Sequence, residues 1–171
     1  MVRTATRAAR VAVRTIYVKF GGKAGLLEAV LVSRREQFFR IADMEHDMRP
    51  FREVVSDFAH QFFDLLCKEQ LIAMQRVVIA EAPGNPELAD TFYGAGPRLT
   101  REMLDRFFSR PDVRAQLHED LPFAQLPAIL TTTIAGDSIQ RFVFPAAQPG
   151  PAEAHRLLDE RLALFFRSVL R

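Results

Sequence analysis

The 171-residue chain has a single cysteine, Cys67, two tyrosines and no tryptophan. One cysteine excludes a disulfide framework within the chain and fits a reducing cytoplasm. No apolar run is long enough to span a bilayer. No stretch alternates apolar and polar residues convincingly, so no strand is expected. There is no G-x-S-x-G element, phosphate loop or nucleotide fingerprint. Asp137 and Ser138 lie near no identifiable histidine. His46, His118 and His155 sit in charged surroundings and read as surface residues. Neither an enzyme nor a resident cofactor is therefore expected. Acid is also missing from residues 1–27, which hold Arg3, Arg7, Arg10, Arg14, Lys19 and Lys23 and so carry +6. The remainder has 17 Lys and Arg against 21 Asp and Glu, a balance of −4. A basic end on a mildly acidic body points to a polyanion met by the end alone.

Helix-forming residues dominate, and proline and glycine cluster at what read as helix ends. With 49% hydrophobic residues the chain can bury a core. A first long helix is expected from about Lys23 to Met44, striped by Leu26, Leu27, Val30, Leu31 and Phe38. After Pro50 a second runs from Phe51 to Lys68, with Val54, Val55, Phe58, Phe62, Leu65 and Leu66 on its apolar side. "LIAMQRVVIAEA" reads as a helix buried all round, and "PGNPE" as a turn. Pro86 opens a helix reaching about Phe108, bent near Gly94, Gly96 and Pro97. After a polar connection come two long helices, Pro122 to Phe144 and Ala152 to Leu170. The last carries Leu157, Leu158, Leu162, Phe165, Phe166 and Val169 on one side. Ala135 and Gly136 would admit another helix closely. The class is all-α. The two terminal helices either close the monomer's core or build a four-helix bundle with a second copy, and the homodimer is the expectation.

Within residues 4–20, "TATRAARVAVRTIYVKF", a short helix from Thr4 to Ala9 and another from Val13 to Lys19 would make a helix-turn-helix. Arg14, Thr15, Tyr17 and Lys19 suit the outward face; Val11, Ile16 and Phe20 suit the inward one. Lys23 opens the next helix, where backbone N–H groups favour a phosphate. A disordered basic tail, an organelle transit peptide and charge for solubility are the competing readings. "IYVKF" runs into a structured helix without a processing spacer, which weighs against the transit peptide.

Ala9 to Leu31 resembles the DNA-binding region of the TetR family of bacterial transcriptional regulators. The matching positions are Ala9-Arg10-Val11-Ala12, Thr15-Ile16-Tyr17, Phe20, Lys23 and Leu26, with the spacing kept. "RVVIAEAPGNPELADTFYGAGP", Arg76 to Pro97, looks like the C-terminal domain of the AefR-like regulators. The resemblance implies a TetR-like helical bundle. Residues 1–44 would be a partial helix-turn-helix plus connecting helix, and 45–171 a ligand-binding and dimerisation domain. It also implies a repressor released from double-stranded DNA by a small molecule. Val13, Arg14, Thr15 and Tyr17 match recognition-helix positions. Lys19 stands near the phosphate backbone where the family often has histidine, and Lys23 matches the lysine beside the DNA. Arg10 replaces the turn glycine and Ala12 the capping serine, each a cost of about 1 kcal/mol. The family's leading amphipathic helix, about 12 residues, has no room here. The chain is therefore expected to bind DNA weakly or not at all, and a longer form to be competent. The alternative function is a DNA-incompetent helical dimer that binds small molecules or partners an intact regulator.

Asp57, His60, Asp64 and Cys67 recur on one helical face and have the chemistry of metal ligands. A solvated polar face is the preferred reading, and no metal site is expected. For a hydrophobic ligand, the candidate pocket residues are Phe62, Met74, Val78, Phe92, Tyr93, Met103, Phe107 and Thr133. Each also suits plain core packing. Fifteen phenylalanines hint at an aromatic or hydrophobic ligand.

Overall fold

The computed structural model describes residues 29, 44–144 and 146–171. The basic end, and with it nearly all of the first long helix, lies outside the described residues. Among the described residues the α-helices are, in order, α1 Phe51–Leu66, α2 Glu69–Glu81, α3 Pro86–Ala95, α4 Pro97–Ser109, α5 Pro111–Arg114, α6 Leu126–Ala135, α7 Ser138–Val143 and α8 Pro151–Val169. Short 3₁₀ turns occupy Ala82–Gly84 and Phe123–Gln125. Among the described residues there is no strand, only an isolated bridge between Leu117 and Leu170. The fold is all-α, as the composition predicts. The described residues fall into two compact units, 77–99 in one and 44–76 with 100–171 in the other.

The larger unit is built on α1, α6 and α8, which pack on one another. Helix α1 starts where Pro50 leaves an extended backbone, and Glu53 sits favourably in its first turn. The side-chain oxygen of Gln116 accepts from the Phe51 N–H at 3.1 Å, doing from a distance what a capping side chain does locally. Phe51, Val54, Val55, Phe58, Ala59 and Phe63 form its buried stripe. Helix α8 answers with Leu158, Leu162, Phe165, Phe166 and Val169. Helix α6, "LPAILTTTIA", has no ionisable side chain and fills the gap with Leu126, Leu130 and Ile134. Phe51 is the hub, with ring centroids 5.9 Å from Phe107, 6.0 Å from Phe108 and 6.2 Å from Phe166. Aromatic pairs at such separations add to their area burial.

Three expectations need correction. Helix α2 is not buried all round: it buries Leu71 and Val78, while Val77 and Ile79 are half exposed. Successive helical residues step about 100° around the axis, so Val77 and Ile79 fall to either side of Val78. The stretch Pro86 to Phe108 is two helices rather than one bent helix. Gly96 (φ −124°, ψ −82°) is non-helical, and Pro97, which disfavours helical geometry in the residue before it, starts the next. The stretch Pro122 to Phe144 is likewise broken, at Gly136 (φ 55°, ψ −133°). There the Arg161 side chain donates to the Thr133 carbonyl at 2.8 Å and the Ile134 carbonyl at 3.0 Å, capping α6 from α8. A Cβ at Gly136 would lie 2.8 Å from Arg161 Cζ, so the guanidinium uses that space.

Candidate functional site

The segment before α1, Met44 to Arg49, is held chiefly by Arg110. Arg110 Nη1 donates to the carbonyls of Met44 (2.6 Å), Glu45 (3.1 Å) and Asp47 (2.9 Å). Its Nε and Nη2 donate to the two Asp112 oxygens at 3.0 and 2.5 Å. The guanidinium lies 5.5 Å from the Phe107 ring centroid, and its side chain is only 14% exposed. A planar fork suits this work, since one edge takes the carboxylate while the remaining donor takes the carbonyls. The Arg110 guanidinium also holds the Asp112 carboxyl below its usual range. Arg106 adds a bond to Glu45 at 2.6 Å, and Arg49 binds Asp47 and Asp57. Sequence reading missed Arg110, because "SRPD" carries no signal for partners 62 to 66 residues away.

The second polar assembly joins α1 to α8. His60 Nδ1 lies 2.9 Å from His155 Nδ1. His60 Nε2 meets Asp159 at 2.8 Å, and His155 Nε2 meets Asp64 at 2.8 Å. The ring planes differ by 6° and their centroids are 5.1 Å apart. That separation is nearly the Nδ1–Nδ1 contact plus the two ring radii, so the rings meet edge to edge with the nitrogens head-on. Phe63 presses edge-on against His155, 5.7 Å between centroids. His155 is therefore half-buried and paired, not the plain surface residue its charged neighbours suggest. Of the four residues weighed as metal ligands, Asp57 is taken by Arg49, and His60 and Asp64 belong to this chain. Cys67 packs against the core, where burial and, secondarily, the Asp64 carboxylate push its thiol up to about 11. Among the described residues no three His, Cys, Asp or Glu converge to hold a metal ion.

The candidate pocket residues are divided between the units. In the larger one, Met103 and Phe107 are buried in the core. Phe62 is half-buried, with its ring 5.3 Å from Phe58, Met74 is half-buried, and Thr133 bonds its hydroxyl to the Ile129 carbonyl. In the smaller unit Val78 is buried, Phe92 half-buried and Tyr93 exposed. The DNA-reading candidates Val13, Arg14, Thr15, Tyr17, Lys19 and Lys23 lie outside the described residues. The two helices expected to dimerise each leave a large apolar side chain in water, Ile129 on α6 and Leu164 on α8, the latter 61% exposed. No helix among the described residues is long and apolar enough to cross a membrane.

The all-α body has the fold of the TetR-type transcriptional regulators. The chain superposes on a TetR-family transcriptional regulator of Mesorhizobium loti MAFF303099 with a TM-score of 0.72 and 18% identity, over 92% of this chain and 80% of that one. The flavonoid-responsive regulator FrrA gives 0.69 and 22%, with the same coverage. No curated protein matches. Residues 53–168 match the C-terminal domain of the AefR-like transcriptional repressors, and the chain belongs to this TetR-type family.

Proposed function

We propose that the chain is a DNA-binding transcriptional repressor, a homodimer through α6 and α8, released from DNA by a small hydrophobic ligand. The observation that carries this reading is the match of residues 53–168 to a repressor domain. The apolar candidates support a hydrophobic ligand, and exposed Ile129 and Leu164 support the dimer. Val13, Arg14, Thr15, Tyr17, Lys19 and Lys23 are assigned to DNA. Ligand would favour a subunit arrangement in which the two recognition helices no longer match successive major grooves.

Fluorescence anisotropy against the DNA preceding the chain's own gene tests this. Binding is expected at low salt, falling steeply as salt rises, weakened by Arg14→Ala and by Lys23→Ala, and reversed by one of a panel of small aromatic compounds. A folded dimer that binds no DNA at the lowest salt would overturn the reading.

A further inference from the structure

The Asp64–His155–His60–Asp159 chain poses a counting problem. Ionised carboxylates only accept hydrogen bonds, so both Nε2 atoms must carry a proton. The two Nδ1 atoms then face each other at 2.9 Å. Two lone pairs would repel there, and so would two N–H groups. The geometry is satisfied by three protons on four nitrogens, one of them shared between the Nδ1 atoms.

A metal ion does not fit the same line. Zinc–nitrogen bonds are about 2.0–2.1 Å, so an ion between collinear lone pairs needs the nitrogens about 4 Å apart. The observed 2.9 Å is hydrogen-bond length.

The surroundings are compatible with one net positive charge on the imidazole pair. Asp64 faces it from α1, and Asp57 on that helix is already bound to Arg49. Cys67, with its raised thiol, stays uncharged at neutral pH. Asp159 faces it from α8, where Arg156 is occupied by Glu153 and Glu160. Helix α6, which packs on both, has no ionisable side chain, and Asp137 beyond its end is bound to Arg141.

We propose that this chain is a single-proton clamp between α1 and α8, closed when one proton lies between the two Nδ1 atoms and loosened when it is lost or a second one is added. In acid, a solvent proton takes the Nδ1 lone pair that had accepted the shared proton and sets N–H against N–H. In alkali, the shared proton leaves to solvent. One ring must then either aim a lone pair at its partner or, by changing tautomer, aim one at its carboxylate. Strength at this joint therefore passes through a maximum with pH.

Histidine-labelled full-length chain, kept in a chelator, tests this by ¹⁵N NMR and by melting temperature across pH. At the maximum, both Nε2 atoms should be protonated, with a single proton distributed over the two Nδ1 atoms. His60→Gln should flatten the bell in melting temperature and leave His155 titrating as an isolated group. His155→Gln provides the same comparison if the first variant folds poorly. Asp159→Asn keeps an acceptor but removes a charge that favours the cationic pair, so both limbs of the bell should move to lower pH. A loss of packing alone would not move them. The proposal is overturned if the rings titrate independently with no shared-proton state. It is also overturned if zinc, with chelator omitted, raises the melting temperature of the native chain but not of His60→Gln.

Discussion

Arg110 concentrates more polar contacts than any other described side chain, and its replacement should be felt in stability and in coupling alike. Arg110→Gln leaves the connector carbonyls and the Asp112 carboxylate without their shared donor. Hydrogen bonds to charged groups suggest a loss of about 2 kcal/mol, or a fall of about 4–8 °C in melting temperature. Arg110→Lys should recover little, because an ammonium cannot present a fork to Asp112 and reach three carbonyls at once. Thermal melts of the three proteins check this, and full recovery by lysine would contradict the fork argument. At this scale the sequence was legible where chemistry is local. Pro50 before α1 and Pro86 at the start of α3 mark helix starts by their own geometry. His155 was not legible, because its pairing with His60 spans 95 residues and exists only once α1 and α8 have packed.

Helices were readable where one stripe meets one core. The apolar positions of α1 and α8 recur at helical spacing, and the structure buries Val54, Val55, Phe58, Leu158, Leu162, Phe165, Phe166 and Val169. Breaks were harder. Nothing local to "TTTIAGDSIQ" says that Gly136 takes positive φ, since the Arg161 guanidinium that turns the chain there comes from α8. Gly136→Ala should cost about 1–3 kcal/mol, since φ near 55° with ψ near −133° is open essentially to glycine alone. Gly150→Ala serves as the control, as a Cβ there meets nothing within 4 Å. In an Arg161→Ala background, which already lacks the cap on α6, Gly136→Ala should cost less but still cost something, because the contact is gone and the backbone strain is not. Urea titrations of the single and double variants measure the split. Equal stability of Gly136→Ala and the native chain would remove strain from the account.

Ile129 and Leu164 are among the exposed large apolar side chains of the described residues, and a second copy is proposed to dock on them. Leu164→Glu puts a charge on the exposed side of α8, away from buried Leu162, Phe165 and Phe166. It should leave the helical spectrum intact and convert dimer to monomer in light scattering, weakening self-association at least tenfold. A variant that stays dimeric would move the interface elsewhere. The candidate pocket was less legible than the fold, because Met103 and Phe107 have the same composition as a ligand wall and are core. The mutual packing of α1, α6 and α8 also bears on how the protein is born. Helix α8 is made after α1 and α6, yet its leucines and phenylalanines cover both. While the chain is still on the ribosome, the apolar faces of α1 and α6 have no lid, and the nascent body presents sticky surface until α8 emerges. Factors that shield nascent chains therefore matter most for this protein in the interval between the synthesis of α6 and that of α8.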